Sequence, residues 1–354
     1  MMAKKQANKK ILIRADGSKR IGMGHIYRTI TLAKYLRKNY GFEIFFVSRK
    51  IAAVQRIIVD NDFSACFLPY NISKKREIGL LREILLDQQP DIIIIDLLNH
   101  SLDRSYMSSL RYSGQVGLVA FIDRHTKTIV DADMVFNTSV FQKYNYYEND
   151  GRTRYYLGFD YLILPEEYME VKEKKRDPRK TVKRVMICMG GSDHNNLTFK
   201  VLKAIDKSCS FYDCDVVLNS DFVDRPALAQ LVSKMKHKIN VHYDVKSLVE
   251  LLGRADMAIT AGGYTHVERM CAGVPGVVIN QLCHQAKLSN WIMEQKGTLD
   301  LGLHKQVRTN DILCSFDHLI GDFEYRKAMA ERGRQLVSGQ GLRNISQAIA
   351  GVGK

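Results

Sequence analysis

Ile11-Leu12-Ile13-Arg14-Ala15-Asp16-Gly17-Ser18-Lys19-Arg20-Ile21-Gly22-Met23-Gly24-His25-Ile26-Tyr27-Arg28 decides how this chain folds. It begins as a short apolar run of strand length and turns through the Gly/Ser/Lys-rich residues 16–24. Apolar residues then recur at Ile26, Ile30, Ala33 and Leu36, with Arg28, Lys34, Arg37 and Lys38 between them, which is helical spacing. Strand, glycine turn and helix in succession predict the opening unit of a parallel α/β sheet, with His25 in the first turn of the helix. Ligands of such sheets bind at the carboxyl ends of the strands. Helix N–H groups there disfavour a proton on imidazole, which suits His25 to accept one as a general base. A histidine that caps the helix or packs on the loop is the competing reading. The glycines do not form the dinucleotide fingerprint Gly-x-Gly-x-x-Gly.

The rest of the first half repeats the alternation. Residues 43–47, 91–96, 117–123 and 134–137 are apolar runs of strand length, and amphipathic segments at 26–38, 50–61, 74–88 and 103–112 separate most of them. Asp96 and Asp123 each end a strand, so both are expected at the same crevice as His25. Residues 166–183 are highly charged, contain Pro178 and lack periodicity, as a linker does. A second α/β unit follows from residue 184, with strands at 184–189, 215–218 and 239–242 and helices near 195–206 and 226–235. Ala132-Asp133-Met134 and Ala255-Asp256-Met257 give a faint internal echo. The expected architecture is α/β, with a domain at 9–165, a linker at 166–183 and a domain at 184–354 facing each other across a cleft. The last helix is a candidate to return to the first domain.

The chain has 354 residues, enough for two ordinary domains. Its 53 Lys+Arg against 38 Asp+Glu give a formal charge of +15, which favours anionic partners such as phosphates and nucleotides. The lysine-rich start and residues 172–184 account for part of that charge as solvated tail and linker. Nucleic-acid binding has only the charge in its favour, because the motifs of RNA and DNA modules are absent. The seven cysteines form no Cys-x-x-Cys pair and are expected to be reduced and mostly buried, as in a cytoplasmic protein. No apolar stretch approaches the ~20 residues of a membrane helix.

Two further glycine turns carry chemistry. Met189-Gly190-Gly191-Ser192 precedes a helix, where backbone N–H groups and the helix dipole suit an anion. An ordinary turn with Ser192 or Asp193 as N-cap is the alternative. Ala261-Gly262-Gly263-Tyr264-Thr265-His266-Val267-Glu268 reads as a second turn with a Thr-x-x-Glu capping box. Glu268 is also placed to hold a ribose diol. Asp131-x-Asp133 and Asp213-x-Asp215 lie at strand starts, the wrong end for the crevice, and no metal is expected. Tyr144, Tyr146, Tyr147, Tyr155 and Tyr156 form a tyrosine-rich stretch expected to pack on itself.

Together these blocks resemble a known family. Arg14-x-Asp16, Ile21-Gly22-Met23-Gly24-His25-x-x-Arg28, Tyr155-Tyr156-Leu157-Gly158-Phe159, Met189-Gly190-Gly191-Ser192-Asp193 and Ala261-Gly262-Gly263-x-Thr265-x-x-Glu268 through Gln285 are similar to blocks of the nucleotide-sugar hydrolases of pseudaminic acid biosynthesis. That family hydrolyses UDP-2,4-diacetamido-2,4,6-trideoxy-beta-L-altropyranose and is related to the spore coat polysaccharide biosynthesis protein G group. The last block also resembles the glycosyltransferase that adds N-acetylglucosamine to the lipid-linked peptidoglycan precursor. The likeness spans roughly residues 11 to 291.

The resemblance implies two Rossmann-like domains in a glycosyltransferase-B-like arrangement, and metal-independent hydrolysis of a UDP-sugar without a cofactor. A cytoplasmic monomer is expected. His25 and Asp16 are the implied catalytic residues. Arg14, Gly22, Gly24, Arg28, Asp96, Gly190, Gly191, Ser192, Gly262, Gly263, Thr265, Glu268 and Gln285 are the implied substrate-binding residues. Three stretches depart from the family: Asp96-Leu97-Leu98 replaces Asp-His-Tyr, Ile122-Asp123-Arg124 replaces Ile-Asp-Asp, and Tyr264 replaces a small residue. Another sugar or nucleotide, or transfer to an acceptor hydroxyl, therefore stays open beside hydrolysis.

Overall fold

The computed structural model describes residues 9–18, 21–97, 104–111, 117–122, 131–141, 151–174, 176–190, 193, 195–219 and 222–351. The chain divides into two compact units, residues 1–166 with 339–354, and residues 167–338.

The first unit alternates β1 (Lys10–Ala15), α1 (Gly24–Tyr40), β2 (Glu43–Arg49), α2 (Ala52–Val59), β3 (Ser64–Leu68), α3 (Lys74–Gln88), β4 (Ile92–Asp96), α4 (Arg104–Leu110), β5 (Gly117–Ile122), β6 (Met134–Asn137) and β7 (Arg154–Leu157). The strands pair in parallel in the order β3-β2-β1-β4-β5-β6-β7. Ile92 to Ile95 are all buried. A continuous β-branched run of this kind suits a central strand covered on both faces. Leu12, Val47, Ile93, Ile95, Leu118 and Val135 pack with Leu81, Leu85 and Met107 into one core. Burying each such side chain contributes about 1.5–3 kcal/mol, which holds α3 and α4 on the sheet. The sequence did not suggest β3, whose Ser-Ala-Cys-Phe-Leu is an edge strand buried fully only at Leu68. Of the tyrosine-rich stretch, Tyr156 stacks on Phe136 at 4.7 Å and meets Tyr161 edge-on. Tyr144, Tyr146 and Tyr147 lie outside the described residues.

The second unit contains α5 (Glu167–Glu173), β8 (Arg184–Cys188), α6 (Leu197–Ile205), β9 (Asp213–Leu218), α7 (Arg225–Val232), β10 (Lys238–Tyr243) and α8 (Val249–Arg254). β11 (Met257–Ala261), α9 (Tyr264–Cys271), β12 (Gly276–Asn280), α10 (Cys283–Glu294), β13 (Leu299–Leu303), α11 (Thr309–Gly321) and α12 (Phe323–Leu336) complete it. Its parallel sheet has the order β10-β9-β8-β11-β12-β13. The described residues of the charged stretch from 167 to 183 belong to this unit. Glu167 and Glu170 sit at the favourable end of α5, Tyr168 is wholly buried, and Arg176 donates to the Leu252 and Ala255 carbonyls.

The internal echo has a structural cause. Asp133 accepts from the Leu118 amide at 2.6 Å, and Asp256 accepts from the Lys183 and Arg184 amides at 2.8 and 2.9 Å. Each carboxylate staples the start of its strand to a neighbouring strand.

α13 (Gly341–Ala350) belongs to the first unit and packs on α1 and on the 3-10 turn Phe159–Tyr161. A Cβ on Gly341 would sit 2.1 Å from the Leu162 carbonyl oxygen, and Asn344 Nδ2 donates to the Asp160 carbonyl at 2.8 Å. All seven cysteines are free, but only Cys188, Cys214 and Cys271 are buried. Cys209, Cys283 and Cys314 are exposed in a turn or on helix surfaces, so the expectation of mostly buried thiols does not hold.

Candidate active site

In the first unit the strand order reverses at β1, which places a topological switch point between β1 and β4. β1 leads through Gly22, whose φ of 81° favours glycine, to His25, the second residue of α1. β4 ends in Asp96, paired in register with Ala15 of β1. His25 and Asp96 therefore meet at the carboxyl edge. His25 Nδ1 lies 2.7 Å from Asp96 Oδ1, and Arg28, one turn along α1, donates from Nε to Asp96 Oδ2 at 2.5 Å and from Nη2 to Oδ1.

Asp96 is wholly buried. Burial works to raise its pKa, but the Arg28 guanidinium and the His25 contact outweigh that and hold the carboxyl below its usual range. An ionised carboxylate only accepts, so in the neutral His25 ring the proton sits on Nδ1, facing Asp96, and Nε2 is the acceptor. Nε2 has no hydrogen-bond partner among the described residues, and 11% of the side chain is exposed. α1 has no side-chain N-cap, and the His25 ring turns to Asp96 instead of capping. The ring can thus take a proton from a bound water or hydroxyl.

Asp96, expected to touch substrate, is instead buried behind His25. Arg14, also expected to bind substrate, has no exposed surface; its guanidinium pairs with Asp16 at 2.5 and 2.8 Å and with Glu77 at 2.8 and 3.1 Å. Asp16, expected beside His25 as a catalytic group, spends its oxygens on Arg14 and on the Arg49 amide at 2.8 Å. Gly22 and Gly24 border open space, with no atom within 4 Å of an added Cβ. Leu98, Asp123 and Arg124 lie outside the described residues.

The second unit repeats the design. Its switch point falls between β8 and β11, and its glycine turns leave these two strands. Gly190 has a φ of 88°, and the neighbouring Met189 carbonyl accepts from Gln281 Nε2. Cys188 Sγ lies 3.8 Å from the Thr265 hydroxyl, joining the end of β8 to the start of α9. Gly191 and Ser192 lie outside the described residues. Asp193 accepts from the Leu197 and Thr198 amides at 2.9 and 2.8 Å, so a carboxylate already occupies the start of α6.

α9 differs. Its N-cap is Gly263, it has no side-chain cap, and it has no acidic residue in its first turn. The expected Thr265-x-x-Glu268 capping box is therefore wrong: the cap is Gly263, two residues before Thr265, and Glu268 lies beyond the positions that can reach it. A Cβ on Gly262 would stand 2.0 Å from Asn280 Oδ1, whereas one on Gly263 would meet nothing nearer than Gln285 Nε2 at 3.7 Å. α9 thus starts on a glycine with no side chain capping it, an arrangement that suits an anion. Gln285 Oε1 accepts from the Gln281 and Leu282 amides at 3.0 and 3.2 Å, capping α10, and leaves its Nε2 beside Gly263. Burial raises Glu268 to a pKa of about 7, with nearby Glu167 adding to the rise and the Tyr168 hydroxyl opposing it.

Among the described residues no group of three His, Cys, Asp or Glu side chains is placed to hold a metal ion. Asp131 and Asp133 pair with Arg111, and Asp213 and Asp215 with Arg184. Among the described residues no helix is long and apolar enough to cross a membrane. The sequence reading overlooked Asn280 and Gln281, although polar residues ending the apolar run Gly-Val-Val-Ile beside a switch point were a usable signal. It also missed Glu77, whose pairing with Arg14 spans 63 positions and leaves no local trace.

No family model matches the chain. The uncharacterized protein MJ1062 of Methanocaldococcus jannaschii is 31% identical over 279 residues, a match taking in 77% of this chain and 56% of that protein. The spore coat polysaccharide biosynthesis protein SpsG of Bacillus subtilis is 27% identical over 347 residues, covering 95% of this chain and 96% of SpsG. The UDP-2,4-diacetamido-2,4,6-trideoxy-beta-L-altropyranose hydrolase of Campylobacter jejuni is 21% identical over 292 residues, covering 81% and 97%. Among solved structures, MurG of Acinetobacter baumannii superposes with a TM-score of 0.70 at 11% identity over 97% of this chain and 99% of MurG. The calicheamicin glycosyltransferase CalG4 gives 0.65 at 14% identity, covering 97% of each chain. These likenesses carry the fold: two parallel-sheet α/β units of glycosyltransferase-B type. The chain is a homologue of SpsG and of the UDP-2,4-diacetamido-2,4,6-trideoxy-beta-L-altropyranose hydrolase, built on a glycosyltransferase-B-like fold.

Proposed function

We propose that this chain hydrolyses a nucleotide-activated amino or deoxy sugar, UDP-linked, in surface polysaccharide or nonulosonic acid biosynthesis. One observation carries the reading: His25 is held by a buried, ionised Asp96 at a switch point, with Nε2 left to accept a proton. Water attacks the anomeric carbon and gives its proton to His25 Nε2. The bond from that carbon to the diphosphate oxygen breaks, and the electron pair leaves with the nucleoside diphosphate. The start of α9 beside Gly262 and Gly263, which no side chain caps, suits the diphosphate, and Glu268 suits the ribose hydroxyls. SpsG, named for spore coat polysaccharide biosynthesis, and the Campylobacter relative, named for hydrolysis of a UDP-sugar, support this reading.

Transfer to an acceptor hydroxyl is the second reading. Tyr27, two residues after His25, is 58% exposed and offers an aromatic surface on which an acceptor could rest. Incubation with UDP-, CMP- and GDP-sugars in ¹⁸O-water, with and without acceptors, tests both. Free sugar carrying ¹⁸O at the anomeric position supports hydrolysis, and turnover only with an acceptor supports transfer. No nucleotide release from any donor overturns both.

A further inference from the structure

Behind the loop that carries His25, two arginines and two carboxylates close a ring. Arg14, near the end of β1, holds Asp16 with two bonds and Glu77 of α3 with two more. Arg49, the last residue of β2, reaches Glu77 Oε2 from Nη2 at 3.1 Å, stands 3.5 Å from Asp16 Oδ2, and gives its own amide to Asp16. Tyr106 of α4 donates to Glu77 at 3.1 Å. Arg14 is wholly buried, Glu77 is 3% exposed, and Arg49 is the most exposed member.

Stability alone does not explain this ring. Replacing buried ion pairs with apolar groups of similar volume is often neutral or stabilising. Its location does explain it. Asp16 is the first residue after β1, and it is tied at once to β1, β2 and, through Arg14 and Glu77, to α3 and α4. The next residue, Gly17, packs so tightly that a Cβ there would lie 2.8 Å from Ile26 Cγ1 and 3.0 Å from Met23 Sδ. Met23 and Ile26 flank the Gly24-His25 step. Ser18 bridges Gly22 through the bond from its amide to the Gly22 carbonyl at 3.1 Å, and its hydroxyl accepts from the Ile21 amide at 3.2 Å. A shift of Asp16 therefore passes through Gly17 to both neighbours of the catalytic step.

We propose that Glu77 and Arg49 are positioning residues: with Arg14 they clamp Asp16, and through Gly17, Met23 and Ile26 the clamp sets where the His25 ring stands. This rests on the reading of His25 as the base. The clamp replaces the direct catalytic role the sequence suggested for Asp16, and it gives the Arg14-x-Asp16 spacing a mechanical purpose.

Arg49→Gln is the first variant, because Arg49 is the most exposed member and its loss leaves Arg14 paired. Amide hydrogen exchange of residues 16–24 needs no substrate. It should speed up at least about tenfold, while the later turns of α1 and the second unit exchange as before. In parallel, kcat should fall about 10–100-fold with the dissociation constant for UDP unchanged, since misplacements near 1 Å can reduce rates about 100-fold. Arg49→Lys, which keeps a charge facing Glu77, should recover part of both effects. Tyr106→Phe, which removes one bond to Glu77, should move both measures the same way but less.

Exchange of 16–24 equal to wild type in Arg49→Gln, or a rise spread evenly over the first unit, overturns the clamp. If the wild-type chain turns over no nucleotide-sugar, the proposed function fails, and the exchange measurement still decides the clamp by itself.

Discussion

Asp96→Asn is the sharpest test of the site. In the native protein Oδ1 faces His25 Nδ1 at 2.7 Å and Arg28 Nη2, while Oδ2 faces Arg28 Nε at 2.5 Å. An asparagine must put its NH2 at one of these places. At the Oδ2 position it opposes Arg28 Nε–H, donor against donor, and His25 loses the charge that would stabilise it once protonated. At the Oδ1 position it donates to His25 Nδ1, moves the ring proton to Nε2 and removes the base. A positioned general base contributes about 10²–10⁴ in rate, or about 3–5 kcal/mol of barrier. The kcat for nucleotide release should fall by that factor, and the misfit at Arg28 should cost about 1–3 kcal/mol of stability. UDP affinity, measured by calorimetry, should not change. His25→Ala should fall as far, and the double variant no further, because the two side chains act as one device. A folded Asp96→Asn protein with near wild-type kcat, or losses that multiply in the double variant, would refute the reasoning.

Three further outcomes are expected. Glu268 binds its proton more tightly in the folded chain, at about pH 7 against 4.5 unfolded. Its stabilisation is therefore complete below about pH 4.5 and is lost as pH rises through 7, amounting to about 3 kcal/mol. Glu268→Gln should accordingly melt higher than wild type at pH 8 and alike near pH 4, yet bind UDP more weakly by about 1–3 kcal/mol; equal melting at both pH values counts against the buried-acid account. Gly262→Ala forces a methyl onto Asn280, which Asp300 and Ser289 hold at 2.7 and 2.8 Å, so thermal melting should show a loss of about 1–3 kcal/mol. Gly263→Ala should cost little stability. Turnover should survive excess EDTA, since both Asp-x-Asp pairs are tied to arginines; restoration by added magnesium after loss would contradict this.

The fold was legible wherever a local pattern matched its surroundings. The isoleucine run ending in Asp96, and the glycine turn before His25, announced a central strand and a helix start, and the structure joins them. Reading failed where partners lie far apart or where backbone conformation decides. Gly263 adopts an extended conformation that starts α9 ahead of Thr265, and this undid a plausible capping box. Arg14 and Asp16 looked like ligand groups because a buried arginine cannot be recognised without seeing Glu77. The charged stretch 166–183 looked like linker because its carbonyl and Asp256 partners lie about 75 positions later.

The return of α13 also bears on how the protein is made. The face of α1 that it covers belongs to the first unit, yet α13 leaves the ribosome only after the whole of the second unit. At about 5–20 residues per second, roughly 10–40 s separate the emergence of residue 166 from that of α13. The second unit is contiguous and can fold during that interval. The His25 helix must wait with part of its surface uncovered, so a ribosome stalled just before α13 would hold a finished second unit beside a first one still open to chaperones and proteases.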